Sequence, residues 1–130
     1  MNKSERVKVI QNYLQKEGYT PQLDDDGDIV FKCEGGTYCV ILEDRDDDFY
    51  RICYPSFWSI DSEAERAAVT RAADAASAKT KVAKVFTVRD NTWASIELFL
   101  DSPSTFTSVF KRSLSALQTS VRNFREAIAS

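Results

Sequence analysis

Apolar residues recur along the chain with two different periods, and short polar segments separate the periodic stretches. A spacing of three to four residues predicts a first helix that Ser4 can cap and Gly18 can end. The same spacing predicts a long C-terminal helix after Pro103, the most strongly periodic part of the chain. The apolar positions of the two helices are Val7, Ile10 and Leu14, and then Phe106, Val109, Phe110, Leu114, Leu117, Val121, Phe124 and Ile128.

Between these helices, apolar and polar residues alternate in five segments, which predicts five strands. "DIVFKCE", "TYCVIL" and "FYRICY" come first, and "KVAKVFTVR" and "TWASIELFL" follow. A second helix lies between the two groups, because Ser62 and Glu65 have capping-box spacing before an alanine-rich segment. The order α-β-β-β-α-β-β-α predicts one α+β domain over residues 1–130, with helices packed on a mainly antiparallel sheet.

The first hairpin turn predicts which strand residues share a face. If Gly35-Gly36 is a two-residue loop, Phe31 lies opposite Val40 on a wholly apolar face that suits a helix. The same register places Cys33 and Cys39 on opposite faces, so these two cysteines cannot form a disulfide.

The second hairpin predicts a candidate binding surface. If Asp90-Asn91 is the loop, Lys84 lies opposite Glu97, and one face is apolar enough to pack against a helix. The other face combines aromatic residues with that ion pair, which suits a surface covered by a partner. We predict that Phe86, Val88, Trp93 and Phe99 form this partner-binding surface. The alternative is that the C-terminal helix covers the same face.

Two aspartate-rich segments resemble calcium loops, but their spacing fails. With Gly27 at position six of an EF-hand loop, Asp24 and Asp26 fit, whereas Gln22 and Cys33 occupy the two end positions. We therefore interpret Asp-Gly as a turn and expect neither a metal nor a cofactor. The predicted register nevertheless brings nine carboxylates, from residues 24–28 and 43–48, to one end of the sheet beside Arg45. The alternative is that a divalent cation relieves their repulsion.

Composition excludes several classes of function. A net charge of −3 argues against nucleic-acid binding, which needs a basic surface. No apolar stretch approaches the roughly 20 residues of a membrane span, and the N-terminus lacks the apolar core of a signal peptide. Three cysteines, an odd number, fit reduced thiols in the cytoplasm. The chain has no histidine and no catalytic or phosphate-binding motif, so we do not expect an enzyme.

Three segments carry a resemblance to a known family: "LDDDGDIVFKCEGGTYCVILEDRDDDFYRICYPSFWSI", "EAERAAVTRAADAASAKTKVAKVF" and "FKRSLSALQTSVRNF". They resemble the YbjN-like bacterial family, whose members are labelled sensory-transduction regulators. That family is similar to the class I type III secretion chaperones. The resemblance implies a chaperone-like or regulatory protein that is cytoplasmic, homodimeric and non-enzymatic, and that binds a protein partner or client. A small-molecule or divalent-cation-binding domain that uses the acidic end is the alternative.

The alanine-rich second helix adds a separate argument for the homodimer, because its small side chains permit close approach to another surface. The alternative is that Ala64, Ala68, Ala72 and Ala76 pack on the sheet of their own chain.

Overall fold

The computed structural model describes all 130 residues and contains three helices and six strands. Their bounds are α1 (Lys3–Lys16), β1 (Gln22–Leu23), β2 (Ile29–Cys33), β3 (Gly36–Leu42), β4 (Phe49–Ser59), α2 (Glu63–Lys79), β5 (Ala83–Val88), β6 (Asn91–Phe99) and α3 (Pro103–Ala129). The strands form one sheet in the order β1-β2-β3-β4-β6-β5, and every neighbouring pair is antiparallel. This architecture confirms the predicted α+β class and adds the two-residue strand β1.

Polar residues cap the helices. Asn2, two residues before the predicted Ser4, caps α1: its side chain accepts a hydrogen bond from the Glu5 N–H, and the Glu5 carboxylate accepts one from the Asn2 N–H. Ser62 caps α2 as predicted. Ser102 caps α3 just before Pro103. None of the three helices is both long and apolar enough to cross a membrane.

All three helices pack on the same face of the sheet, which we call the inner face. Phe110 of α3 lies at the centre of this core and is fully buried. Its ring centroid is 5.6 Å from that of Tyr13 in α1, 5.8 Å from Phe31 in β2 and 5.9 Å from Phe106. Tyr19, in the segment after α1, contacts the same ring. One phenylalanine therefore joins α1, α3 and the sheet.

The first hairpin has a different register from the predicted one. Its turn is Glu34-Gly35, so Phe31 pairs with Tyr38 and Cys33 with Gly36. Glu34 and Gly35 both have positive φ angles, +49° and +81°, as a type I′ turn requires. Gly36 belongs to the strand instead, because a Cβ there would lie 3.0 Å from the rings of Tyr38 and Tyr54.

The second hairpin differs from the prediction in the same way. Its turn is Arg89-Asp90, and Lys84 pairs with Ser95 where Glu97 was predicted. Both registers are shifted by two residues. Because side chains alternate with a period of two, a shift of two leaves every residue on its predicted face.

The alanine-rich helix α2 packs against its own chain. Ala72, Ala73 and Ala76 are buried in the core, whereas Ala64 at the start of the helix is exposed. The small side chains of α2 thus allow it to pack closely against the core of its own domain. This helix gives no support for a homodimer.

Helix α2 also blocks one edge of the sheet. The Ser77 hydroxyl lies beside the outer edge of β5, where it accepts a hydrogen bond from the Val85 N–H at 2.8 Å and lies 3.4 Å from the Val85 carbonyl. At the opposite edge, β1 has two residues and follows Pro21. Neither edge offers a long row of free backbone groups to a strand from another chain.

Candidate functional site

The second face of the sheet, which we call the outer face, carries no helix. It is formed by Gln22, Val30, Lys32, Thr37, Cys39, Ile41, Phe49, Arg51, Cys53, Lys84, Phe86, Val88, Trp93, Ser95, Glu97 and Phe99. The residues that alternate with them along each strand point to the inner face and belong to the core. A sheet with one face on the core normally has a polar outer face, whereas this one combines charged residues with several aromatic and aliphatic side chains.

All four predicted partner-binding residues lie on the outer face. Phe86 pairs with Trp93 across β5 and β6, with ring centroids 6.5 Å apart, and Val88 follows at the turn end. Phe99 lies at the opposite end of β6 and is 77% exposed, more than any other large apolar side chain. The alternative, in which the C-terminal helix covers them, is wrong, because Phe106 and the rest of the apolar stripe of α3 pack on the inner face.

The predicted ion pair divides the two aromatic groups. Lys84 and Glu97 are in contact, although they lie diagonally and not directly opposite. Arg51 of β4 extends this pairing, because its guanidinium is 3.7 Å from Glu97 and 3.7 Å from Glu43. A charged strip therefore crosses the outer face between Phe49–Phe99 at one end and Phe86–Trp93 at the other.

The sequence reasoning missed the contribution of β3 and β4 to this surface. Phe49 lies opposite Phe99, with ring centroids 5.6 Å apart, and Ile41 lies beside Arg51. Alternation within "FYRICY" predicts that Phe49 and Arg51 share a face of β4. Nothing in the sequence indicates, however, that β4 lies next to β6. That adjacency turns two short patches into one surface across the sheet.

Two of the three cysteines meet on the outer face as free thiols. Cys39 and Cys53 pair directly across β3 and β4, and both are buried. Hydrogen bonding to Cys39, together with burial, raises the pKa of the Cys53 thiol. Cys33 lies on the other face, as predicted, beside Gln118 and Tyr19. A raised thiol pKa opposes the thiolate form that a nucleophile requires.

The aspartates of the first acidic segment form a turn. The Asp24 carboxylate accepts hydrogen bonds from the N–H groups of Asp26 and Asp28, both at 2.9 Å, and Gly27 has a φ of +80°. Carboxylate oxygens of these three aspartates lie within 4.8 Å of one another. Burial, and then the Asp24 charge, raises the pKa of Asp28, which lies close to Lys3. The local hydrogen bonds are those of an Asx-turn.

A buried arginine from α1 holds the second acidic segment. Arg6 is 1% exposed and donates a hydrogen bond to the Glu43 carbonyl at 2.8 Å and another to the Phe49 carbonyl at 3.4 Å. Its guanidinium is also 3.6 Å from Asp47 and lies over the Tyr50 ring. The acidic segment 43–48 therefore receives positive charge from Arg6, a residue of α1 that is distant in sequence.

The largest cavity lies elsewhere, between the first hairpin and the end of α3. Its volume is about 480 Å³, and the rings of Tyr38 and Tyr54, which contact each other at a centroid distance of 4.5 Å, form one wall. Arg122 and Arg125 line it together with the carboxylates of two glutamates, so its charges are balanced. Burial raises the pKa of Tyr38 in this wall, which keeps its hydroxyl protonated and opposes a role as a base.

Comparison with known proteins identifies the fold. No protein-family profile and no curated protein sequence matches the chain. The structure of E. coli YbjN, described as a candidate transcription regulator, aligns with a TM-score of 0.65 and 14% identity, covering 95% of this chain and 91% of that one. An uncharacterized protein of Methanothermobacter thermautotrophicus aligns with a TM-score of 0.60 and 16% identity, covering 95% and 99%. The resemblance to YbjN is thus confirmed at the level of the fold.

Proposed function

We propose that this protein is a non-enzymatic protein-binding module, chaperone-like or regulatory, that acts as a homodimer. The observation that carries the proposal is the uncovered outer face, on which Phe49, Phe86, Trp93 and Phe99 surround a charged strip. Phe99 is exposed and the other three aromatic residues are half-exposed, and clusters of apolar side chains that a protein leaves in contact with water often serve as interaction sites. The charged strip would fix the orientation of a partner more than it adds affinity.

The blocked sheet edges favour docking onto the face over strand addition. Ser77 occupies the hydrogen-bonding groups of Val85, and β1 is too short to template another strand. A partner that packs on the outer face would bury aromatic side chains, which dominate the energy of protein interfaces. Both a second copy of this chain and a client protein could bind in this way.

The non-enzymatic part of the proposal rests on the chemistry of the candidate groups. The Cys53 thiol has a raised pKa, and no histidine is present to activate a nucleophile. A cytoplasmic location is also part of the proposal. Cys39 and Cys53 face each other as free thiols, and an oxidising compartment would favour their disulfide.

Replacing Phe99 by serine is expected to break the homodimer with little loss of stability, because the side chain is 77% exposed in the single chain. Light scattering at micromolar concentration should give twice 14.7 kDa for the wild type and 14.7 kDa for the variant. Leu23→Ser, at an exposed apolar position away from the outer face, should remain dimeric. A wild-type mass of 14.7 kDa, or equal dissociation of both variants, would contradict the dimer. Crosslinking in cells with mass spectrometry then tests for a client.

A second candidate function, divalent-cation binding, is favoured by the close carboxylates of Asp24, Asp26 and Asp28. The hydrogen bonds within this turn account for the same geometry without an ion. Calorimetric titration with calcium and with magnesium is therefore expected to show no tight site. A stoichiometric heat signal at micromolar ion concentration, abolished in Asp26→Asn, would replace the protein-binding proposal with this one.

A further inference from the structure

An apolar groove lies between α3 and the ends of β5 and β6, on the inner side of the sheet. Its volume is about 300 Å³. Its apolar walls come from Val82, Leu98, Leu100, Val109 and Ala116. A second depression of about 380 Å³ adjoins it and shares Lys81, Arg112 and Ala116 with it. Together they have the size of a small-molecule site, with an apolar end and a polar end.

The polar end carries positive charge that nothing in the protein neutralises. Lys79, Lys81 and Arg112 line it, no carboxylate does, and none of the three forms an ion pair. The adjacent Lys111, in contrast, is paired with Glu17. In a chain with a net charge of −3, three unpaired cations around one cavity are a local reversal of charge.

The end of α2 accounts for only one of these cations. A lysine in the last helical turn, such as Lys79, is stabilised by the negative end of the helix dipole. Lys81 lies beyond the helix end, and Arg112 belongs to the middle of α3. The Ala76 carbonyl near the helix end does not need a cationic donor either, because it accepts hydrogen bonds from both the N–H and the hydroxyl of Thr80. The convergence of Lys81 and Arg112 therefore needs another explanation.

Val82 supplies a second unusual feature at the rim of the apolar end. It has a φ of +55°, which a β-branched residue rarely adopts, and its side chain is 65% exposed. Backbone strain of this kind destabilises the folded state and is concentrated at ligand-binding and switch regions. Here the strained backbone holds an apolar side chain in water beside the groove, where a bound molecule would cover it.

We propose that this groove binds a single-chain amphiphile with an anionic head, such as a fatty carboxylate. The apolar end would take the hydrocarbon chain, whose transfer from water drives binding. Lys81 and Arg112 would hold the head through charge-assisted hydrogen bonds. This site is separate from the outer face, because it lies between α3 and the inner face of the sheet, where Leu98 lines it.

Titration calorimetry with decanoate, below its micellar concentration, tests the proposal on the intact chain. One equivalent of decanoate should bind, whereas butyrate, which lacks the chain, and decyl maltoside, which lacks the charge, should bind much more weakly. Arg112→Glu should weaken decanoate binding about tenfold or more. Arg122→Glu, the same change at another exposed position of α3, should leave the affinity within twofold.

Two further variants test the apolar end. Ala116→Phe should fill the groove and abolish binding, and Val82→Asp, at an exposed position, should weaken it without loss of fold. Melting curves identify any variant that fails to fold. Equal affinity for butyrate and decanoate, equal losses in the two arginine variants, or binding only to phosphatidylglycerol vesicles would each overturn the proposal. These outcomes leave the dimer test with Phe99→Ser unaffected.

Discussion

Replacing Phe110 by alanine is expected to lower the free energy of unfolding by about 3–5 kcal/mol. The side chain is fully buried, and its ring contacts Tyr13, Tyr19, Phe31 and Phe106. These partners come from α1, the segment after it, β2 and α3, so a cavity here cannot be closed by the movement of one element. The cost should therefore include both the lost transfer of the ring from water and the cavity left behind.

Phe99→Ala is the matched control, because it removes the same atoms from a side chain that is 77% exposed. Its effect in the monomer should stay within about 0.5 kcal/mol. Urea denaturation of both variants, at a protein concentration low enough for the wild type to be monomeric, measures the difference, and an unchanged m-value would show that the extent of unfolding is the same. Equal destabilisation would mean that the outer face is covered within the chain, which contradicts the proposed interface.

The faces of the strands could be predicted from the sequence, whereas the exact pairing could not. Alternation places Phe86 and Trp93 on one side in both the predicted and the observed register, since a shift of two residues preserves the face. In the first hairpin, the error in the predicted register came from the adjacent Gly35 and Gly36. Both suit a turn, but only the packing of Tyr38 and Tyr54 requires Gly36 in the strand. That packing involves β4, and local sequence carries no information about it.

The candidate surface could be predicted in part for the same reason. Phe86, Val88, Trp93 and Phe99 belong to one hairpin, so local alternation was enough to group them. Phe49 joins them only because β4 lies between β3 and β6, a choice of strand order that depends on the whole domain. The groove proposed to bind an amphiphile could not be predicted from local sequence. Its walls come from three separate segments, namely the linker after α2, the end of β6 and one side of α3.

Arg6 shows how the same limit affects electrostatics. In the sequence it lies in a first helix with an apolar face, far from residues 43–48, and Arg45 is the base nearest those carboxylates. In the structure Arg6 is buried among them. A prediction of charge repulsion from sequence neighbours was therefore incomplete, and so was the argument for a cation at this end.

Replacing Arg6 by alanine is expected to cost about 2–4 kcal/mol of stability. The variant loses the hydrogen bonds to the Glu43 and Phe49 carbonyls, the contact with the Tyr50 ring and the charge that faces Asp47. Arg45→Ala removes the same group from an exposed side chain without an ion pair, so it should stay within about 0.5 kcal/mol. Thermal or urea unfolding of the two variants measures the contrast.

Calcium added to Arg6→Ala tests the second candidate function, divalent-cation binding at the acidic end of the sheet. If the arginine is the structural counterion of the second acidic segment, an exposed divalent ion cannot replace its hydrogen bonds to two carbonyls, and stability should not recover. If Asp24, Asp26 and Asp28 form a cation site, calcium should stabilise the folded variant even though Arg6 is absent. The melting temperature would then rise with calcium concentration, as linkage requires for a ligand of the folded state. A rise in Arg6→Ala that is absent in the Arg6→Ala, Asp26→Asn double variant would therefore favour cation binding over the protein-binding proposal.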